Sequence, residues 1–465
     1  MGKGTALPKN ANKTANKSAV PAIPAFRHLP AVAVVSVVFA LGYRFFAFIS
    51  AYSVNVLFWD QWDYLKQFFA GSATLVELFR KEHAPHREGV GILADKFLFS
   101  LTSWNVRAES FMIGGCVFTA MLLALLLKKK LFGQLAYSDV SIPFMFLTLA
   151  QYETLIGTPN PAYSAFPLLL LMSYCLALLQ QNYVLKYGLV LAINFLLIYT
   201  GFGLFMGVVT IGLFALECYW RIRHMIPVPL ALPGAALVIA AASLASFFLG
   251  YKFDAAVACF DFPRHDVGVY PWFMALMFSN FVGLSGPLSL ATAAGAAILA
   301  FAAAVLMIQM RRLGQGVRSL DIALIPSVLL GYVMLFTAFT AVGRVCLGIP
   351  GGAQPSRYTT FLIPAFLAMY FYLLSIPPAP LRRIALGLFV ILLVPNSLRV
   401  SPDVHWFADG KRAWAACYLQ TEDIGHCDQV THFPIYPKPE ETDLKQKLEY
   451  LKERHLNLFA DAVAK

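Results

Sequence analysis

The feature that most constrains this chain is a succession of apolar runs of roughly 20 residues, each long enough to cross the hydrocarbon core of a bilayer. Backbone polar groups in lipid must be satisfied within the segment itself, so each run reads as a helix. Of 465 residues, 59% are hydrophobic and 13% charged, about half the roughly 25% charge of a soluble domain. The chain is therefore read as an all-α polytopic membrane protein. A net charge of +11 would suggest nucleic acid in a soluble protein. Here the Lys and Arg gather at the ends of the runs, where the positive-inside rule puts them, and no nucleic-acid partner is expected.

The pattern predicts about eleven spans, at about 30–51, 109–127, 139–157, 163–181, 184–200, 202–220, 229–249, 287–310, 321–342, 359–377 and 384–398. Lys128-Lys129-Lys130, Lys186, Arg221, Arg223, His224, Arg311-Arg312, Arg318 and Arg382-Arg383 then all fall on the cytoplasmic side. An even count would put the Lys128 or the Arg311 group on the wrong side. The topology is N-terminus in and C-terminus out. Residues 1–29 read as a disordered cytoplasmic tail, 30–398 as the transmembrane module and 399–465 as a small external cap. The cap shows one clear helix, with Leu444, Leu448, Leu451 and Leu458 at helical spacing, and is expected to stabilise the external face. The aromatic stretch 271–283 reads as a helix lying in the interface or re-entering beside other spans.

Chemistry concentrates in the first external loop, 52–108, where interfacial helices are expected. Its Phe58-Trp59-Asp60-Gln61-Trp62-Asp63-Tyr64 sets two carboxylates one helical turn apart among aromatics that hold a helix at the membrane surface. Partial desolvation raises the basicity of a carboxylate there and suits Asp60, with Asp63 second, to take a proton from a hydroxyl nucleophile. Glu82-His83-Ala84-Pro85-His86-Arg87-Glu88 follows. Here His83 and His86 are candidates to position a phosphate, and Arg87 to pair with its oxygens through its planar fork. A divalent metal held by Asp60 and His83 stays open, although His-rich sites suit transition metals better than magnesium. Gly343-Arg344 and Ser356-Arg357-Tyr358 place two arginines at external helix ends around a glycine-rich loop, a cradle for a phosphodiester. Glu153, in Gln151-Tyr152-Glu153, is costly in lipid and joins the binding candidates, or else pairs with an Arg.

Cys116, Cys175 and Cys218 fall within spans and read as small apolar packers. The other four of the seven cysteines are assigned outside. There a Cys417–Cys427 disulfide is expected, with a Cys259–Cys346 pair as a weaker expectation. Neither a zinc nor a haem spacing appears, nor a glycine-rich phosphate loop, so no further cofactor is implied.

These motifs resemble the GT-C superfamily of polytopic glycosyltransferases: a long first external loop with Phe-Trp-Asp-x-Trp-Asp after span one, an interfacial segment, many spans and a small external cap. More narrowly, Trp59-Asp60-Gln61-Trp62-Asp63, Glu82-His83-Ala84-Pro85-His86-Arg87, Ala150-Gln151-Tyr152-Glu153 and Gly343-Arg344 with Ser356-Arg357-Tyr358 look like a bacterial branch of such proteins. The resemblance implies a bacterial inner (plasma) membrane protein. It also implies a polyprenyl-phosphate-linked sugar donor and a glycan, lipid or protein acceptor on the external face. Asp60 would be the base or a metal ligand, and the anomeric centre would invert. A non-catalytic lipid-phosphate carrier or flippase would need the same phosphate grip but no base. A secondary transporter would show repeated halves and midplane charges, whereas the charges here gather at helix ends.

Overall fold

The computed structural model describes residues 28–83, 85–223, 230–252, 262–285, 288–315 and 320–460. The expectations for the N-terminal tail, His224, Cys259 and Arg318 lie outside the described residues. The protein is helical, and its only strands among the described residues are the two-residue pair β1 (Glu82–His83) and β2 (His86–Arg87). Among the described residues seven helices are long and apolar enough to cross a membrane, and three shorter apolar helices accompany them.

The chain enters through α1 (Leu29–Tyr52), then builds the first loop from α2 (Gln61–Tyr64), α3 (Lys66–Ala70), α4 (Leu75–Phe79), the hairpin and α5 (Gly89–Thr102). It returns through α6 (Val106–Phe132). After α7 (Ser141–Phe146) come α8 (Ala165–Leu178), α9 (Tyr183–Ile198), α10 (Leu204–Arg223) and α11 (Ala231–Phe248). The second half holds α12 (Val269–Phe281), α13 (Leu288–Gly314), α14 (Leu320–Arg344), α15 (Tyr358–Leu374) and α16 (Ala379–Leu398). The cap is α17 (Asp403–Thr421), α18 (Ile424–Thr431) and α19 (Leu444–Glu453). Helix α15 is the axis of the bundle, with all but two of its residues buried.

Two expectations need correction. The third span is not one helix but a 3₁₀ turn, α7, a second 3₁₀ turn and a π turn at Glu153–Gly157. Broken backbone at this depth survives only where protein satisfies it. The Gln151 amide donates to the carbonyls of Phe146 (2.7 Å) and Thr148 (3.1 Å), and buried Lys411 donates to those of Ile156 (3.0 Å) and Gly157 (2.6 Å). The cap, in turn, has three helices rather than one. Val404, Ala408, Lys411, Trp414 and Tyr418 form a buried stripe on α17 at helical spacing, obscured in the sequence because a lysine stands in it. Lys128 of the Lys128-Lys129-Lys130 cluster meets a carboxylate. It is buried and paired with Asp139 at 2.8 Å, and Asp139 also accepts from Tyr370 at 2.5 Å.

The cap has no core of its own. Its Trp414, Tyr418, Cys427, Phe433, Leu444 and Leu448 share one apolar cluster with Val56, Phe58, Trp62, Tyr64 and Phe99 of the first loop. Cys417 and Cys427 are disulfide-bonded with Cα atoms 5.7 Å apart. Cys346 is also disulfide-bonded.

Candidate functional site

The hairpin sorts the charged cluster that follows α4. Glu82 pairs with Arg87 and His83 with His86 across it, and successive strand residues point to opposite faces. One face therefore carries both histidines and the other the ion pair. Arg87 donates to Glu82 (3.1 Å) and to the Leu249 carbonyl (2.8 Å), and lies 5.7 Å from the Phe247 ring centre. Expected at a substrate phosphate, Arg87 is instead buried on the far side of the hairpin, holding it to the end of α11. His86 packs against Phe202 (4.3 Å) and Tyr163 (5.7 Å), and His83 stands edge-on to Tyr64 (6.0 Å) and Tyr163 (6.4 Å).

Asp60 caps α2, is exposed, and its carboxylate makes no hydrogen bond among the described residues. Its charge acts on His83, Glu88, Tyr163 and Arg357. Arg344, from the end of α14, acts on His83, His86 and Tyr163. It is half-buried and has no hydrogen-bond or ion-pair partner among the described residues. Tyr163 thus lies within the field of Asp60, Glu88, Arg344 and Arg357 together. Motifs some 300 positions apart converge there.

Asp63 diverges from Asp60. Its carboxylate accepts from Tyr436 (2.6 Å) and Thr442 (3.0 Å) of the cap, so both its oxygens are occupied in holding the loop to the cap. Neighbouring bonds do the same work: Lys447 donates to the Trp62 carbonyl (2.9 Å), and the Trp59 amide to that of Ile435 (3.1 Å). These contacts fix the turn on which Asp60 stands.

Glu153 takes the second of its two sequence readings and pairs with an arginine. It accepts from the Arg357 guanidinium (3.2 Å) and backbone amide (3.2 Å), while its own amide donates to Ser356 (2.9 Å). The π turn is thereby latched to the start of α15, and Arg357 is oriented. Tyr358 is buried, with the Arg357 guanidinium 5.9 Å from its ring centre.

Four further residues belong here that the sequence did not single out as site residues. Glu88 is fully buried, accepts from Asn160 at 3.0 Å, and is pushed up to about 8 by burial. One of its oxygens has no partner. Asp95 is likewise raised by burial and accepts from Tyr64 at 2.8 Å. Lys81, lowered to about 8 by burial, donates to the carbonyls of Asp63 (2.8 Å) and Tyr64. Tyr163 is raised well above the ordinary tyrosine range, by burial first and then by the Glu88 and Asp60 carboxylates. Its only signal was its place just after the Gly157-Thr158-Pro159-Asn160-Pro161 turn. Burial also lowers His83 to about 4 and His86 to about 3, with Arg344 adding to both shifts. Both imidazoles are neutral at pH 7.

Among the described residues no three His, Cys, Asp or Glu side chains gather to hold a metal ion. Asp60 and His83 alone make a thin donor set, and no step below is routed through a metal.

No protein-family model matches the chain, and no curated protein matches it. Among solved structures it is similar to ArnT from Cupriavidus metallidurans in the apo state. That likeness has 12% identity and a TM-score of 0.44, over 92% of this chain and 77% of that one. It is also similar to ArnT from the same organism bound to undecaprenyl phosphate, with 13% identity and a TM-score of 0.43, over 91% and 77%. At that identity and overlap the likeness carries neither a family name nor an activity to this chain.

Proposed function

We propose that the protein is a membrane glycosyltransferase that moves a sugar from a polyprenyl-phosphate-linked donor to an acceptor hydroxyl on the extracytoplasmic face. The observation that carries this reading is an exposed, unbonded carboxylate, Asp60, whose charge acts on Arg357 and, together with that of Arg344, on neutral His83. A cationic grip beside a free base is what transfer from a phosphate leaving group requires.

In this mechanism Arg344 and Arg357 hold the donor phosphate, and Glu153 fixes the Arg357 fork. His83 and His86, being neutral, donate hydrogen bonds without adding charge. The acceptor oxygen attacks the anomeric carbon from the face opposite the phosphate while Asp60 takes its proton. The carbon–oxygen bond to phosphate breaks with its electron pair going to the phosphate, whose charge the arginines meet. The anomeric centre inverts. A flippase needs the same grip but has no use for an unbonded carboxylate beside it.

The test is sugar transfer in membranes carrying wild type or Asp60→Asn, with a panel of radiolabelled polyprenyl-phosphate sugars. Asp60→Asn should lower transfer at least 10²-fold, with expression and donor binding retained. Full activity in Asp60→Asn removes the role given to that residue. Donor binding by wild type without any transfer favours the carrier reading.

A further inference from the structure

At the end of the bundle opposite the candidate site, α8, α9, α10, α13 and α14 enclose a cavity of about 320 Å³. Asp321 in its wall and Arg344 in the candidate site stand near the two ends of α14, roughly 35 Å apart along the helix. The cavity is therefore separate from the site already described.

Its polar lining holds Arg221, Lys186 and Trp220 together with the Gln180 and Gln181 amides. On the last turn of α10, Arg221 gives one nitrogen to Glu217 (2.7 Å) and Tyr187 (3.2 Å) and lies 5.7 Å from the Tyr183 ring centre. Its side chain is 8% exposed, and its other terminal nitrogen is buried with no acceptor. The indole nitrogen of the adjacent Trp220 is also buried with no acceptor. Both residues line the cavity, and Lys186 adds an ammonium group. Two carboxylates line it as well: Glu217, already taken by Arg221 and Tyr187, and Asp321 of α14. Leu213, Phe214 and Leu324 are among the apolar residues of the wall.

Buried donors left without acceptors are costly, and a ligand that supplies acceptors recovers the cost. A guanidinium edge, an indole N–H and an ammonium beside an apolar wall suit an oxyanion with several oxygens, attached to something greasy or small. We propose that this cavity is a binding site for a phosphate group, carried by a lipid headgroup or by a soluble phosphorylated metabolite. Arg221, Trp220 and Lys186 donate to its oxygens, and Glu217 with Tyr187 holds the guanidinium in place.

The experiment uses the full chain in detergent micelles, read by native mass spectrometry, with dioleoyl-phosphatidylglycerol in one arm and glycerol 3-phosphate in the other. Two variants test the donors: Trp220→Phe keeps the ring and loses the N–H, and Arg221→Lys keeps the charge beside Glu217. Each should weaken binding roughly tenfold, while Lys445→Gln, exposed on the cap, should bind as wild type does. Lipid binding that follows this pattern assigns the phosphate to a headgroup, and glycerol 3-phosphate binding that follows it assigns a soluble source. Neither ligand binding, or equal binding in Trp220→Phe and wild type, overturns the proposal. Sugar transfer does not enter the readout, so the outcome stands apart from the proposed activity.

Discussion

Asp60 and Asp63 show how three positions change the work of a carboxylate. One is exposed and unbonded; the other accepts two hydroxyls of the cap at 2.6 and 3.0 Å. Glu88 has a different fate again, because burial pushes it up to about 8. Between about pH 4.5 and about pH 8 the folded chain holds a Glu88 proton that the unfolded chain has released. Stability therefore falls as pH rises through that window. His83 and His86, lowered by burial to about 4 and about 3, act in the opposite sense: the unfolded chain binds protons first, so stability falls on acidification below about 6.5. Glu88→Gln should flatten the alkaline decline and leave the acid one. Thermal unfolding of the solubilised protein at about pH 5 and about pH 8 checks it, and an equal decline in variant and wild type would refute the assignment.

At the scale of elements, the site depends on how closely α5 approaches the turn before α8. A Cβ on Gly91 would come within 2.4 Å of the Ala162 Cβ and 2.9 Å of its amide nitrogen. The turn that carries Asn160 and Tyr163 must then move. Gly91→Ala should destabilise the protein by about 1–3 kcal/mol and lower transfer. Gly188→Ala, with nothing within 4 Å of the added carbon, should be neutral or stabilise α9 by about 0.5–1 kcal/mol. Melting of the two variants side by side checks both, and equal melting points would show that the close approach is dispensable. The broken third span belongs to this scale too. Its apolar composition reads as a crossing, and side chains such as Gln151, Thr359 and Lys411, bonding to its freed carbonyls, allow it to break.

In the whole molecule, the cap and the first loop are one folding unit, joined by a shared apolar cluster. The unit is pinned by Tyr436, Thr442 and Lys447. Tyr436→Phe with Thr442→Val leaves the Asp63 carboxylate without either hydroxyl, at a cost of about 1–3 kcal/mol. Limited proteolysis should then cut the tail faster, and transfer should fall while donor binding persists, because the arginines stand on other elements. A tail as resistant as wild type would mean that the cluster alone holds the cap.

The sequence by itself determined that the chain is helical and polytopic, where most of its helices run, and which short motifs carry charge. Those properties follow from hydropathy over windows of about 20 residues, which local composition records. Tertiary structure alone decided which charges face one another. The hairpin register turned Arg87 away from His83 and His86. Packing paired Glu153 with Arg357 across a separation of 204 positions, and burial raised Glu88. Register, long-range pairing and desolvation depend on what the rest of the chain brings alongside, and a local reading of residues holds no record of that.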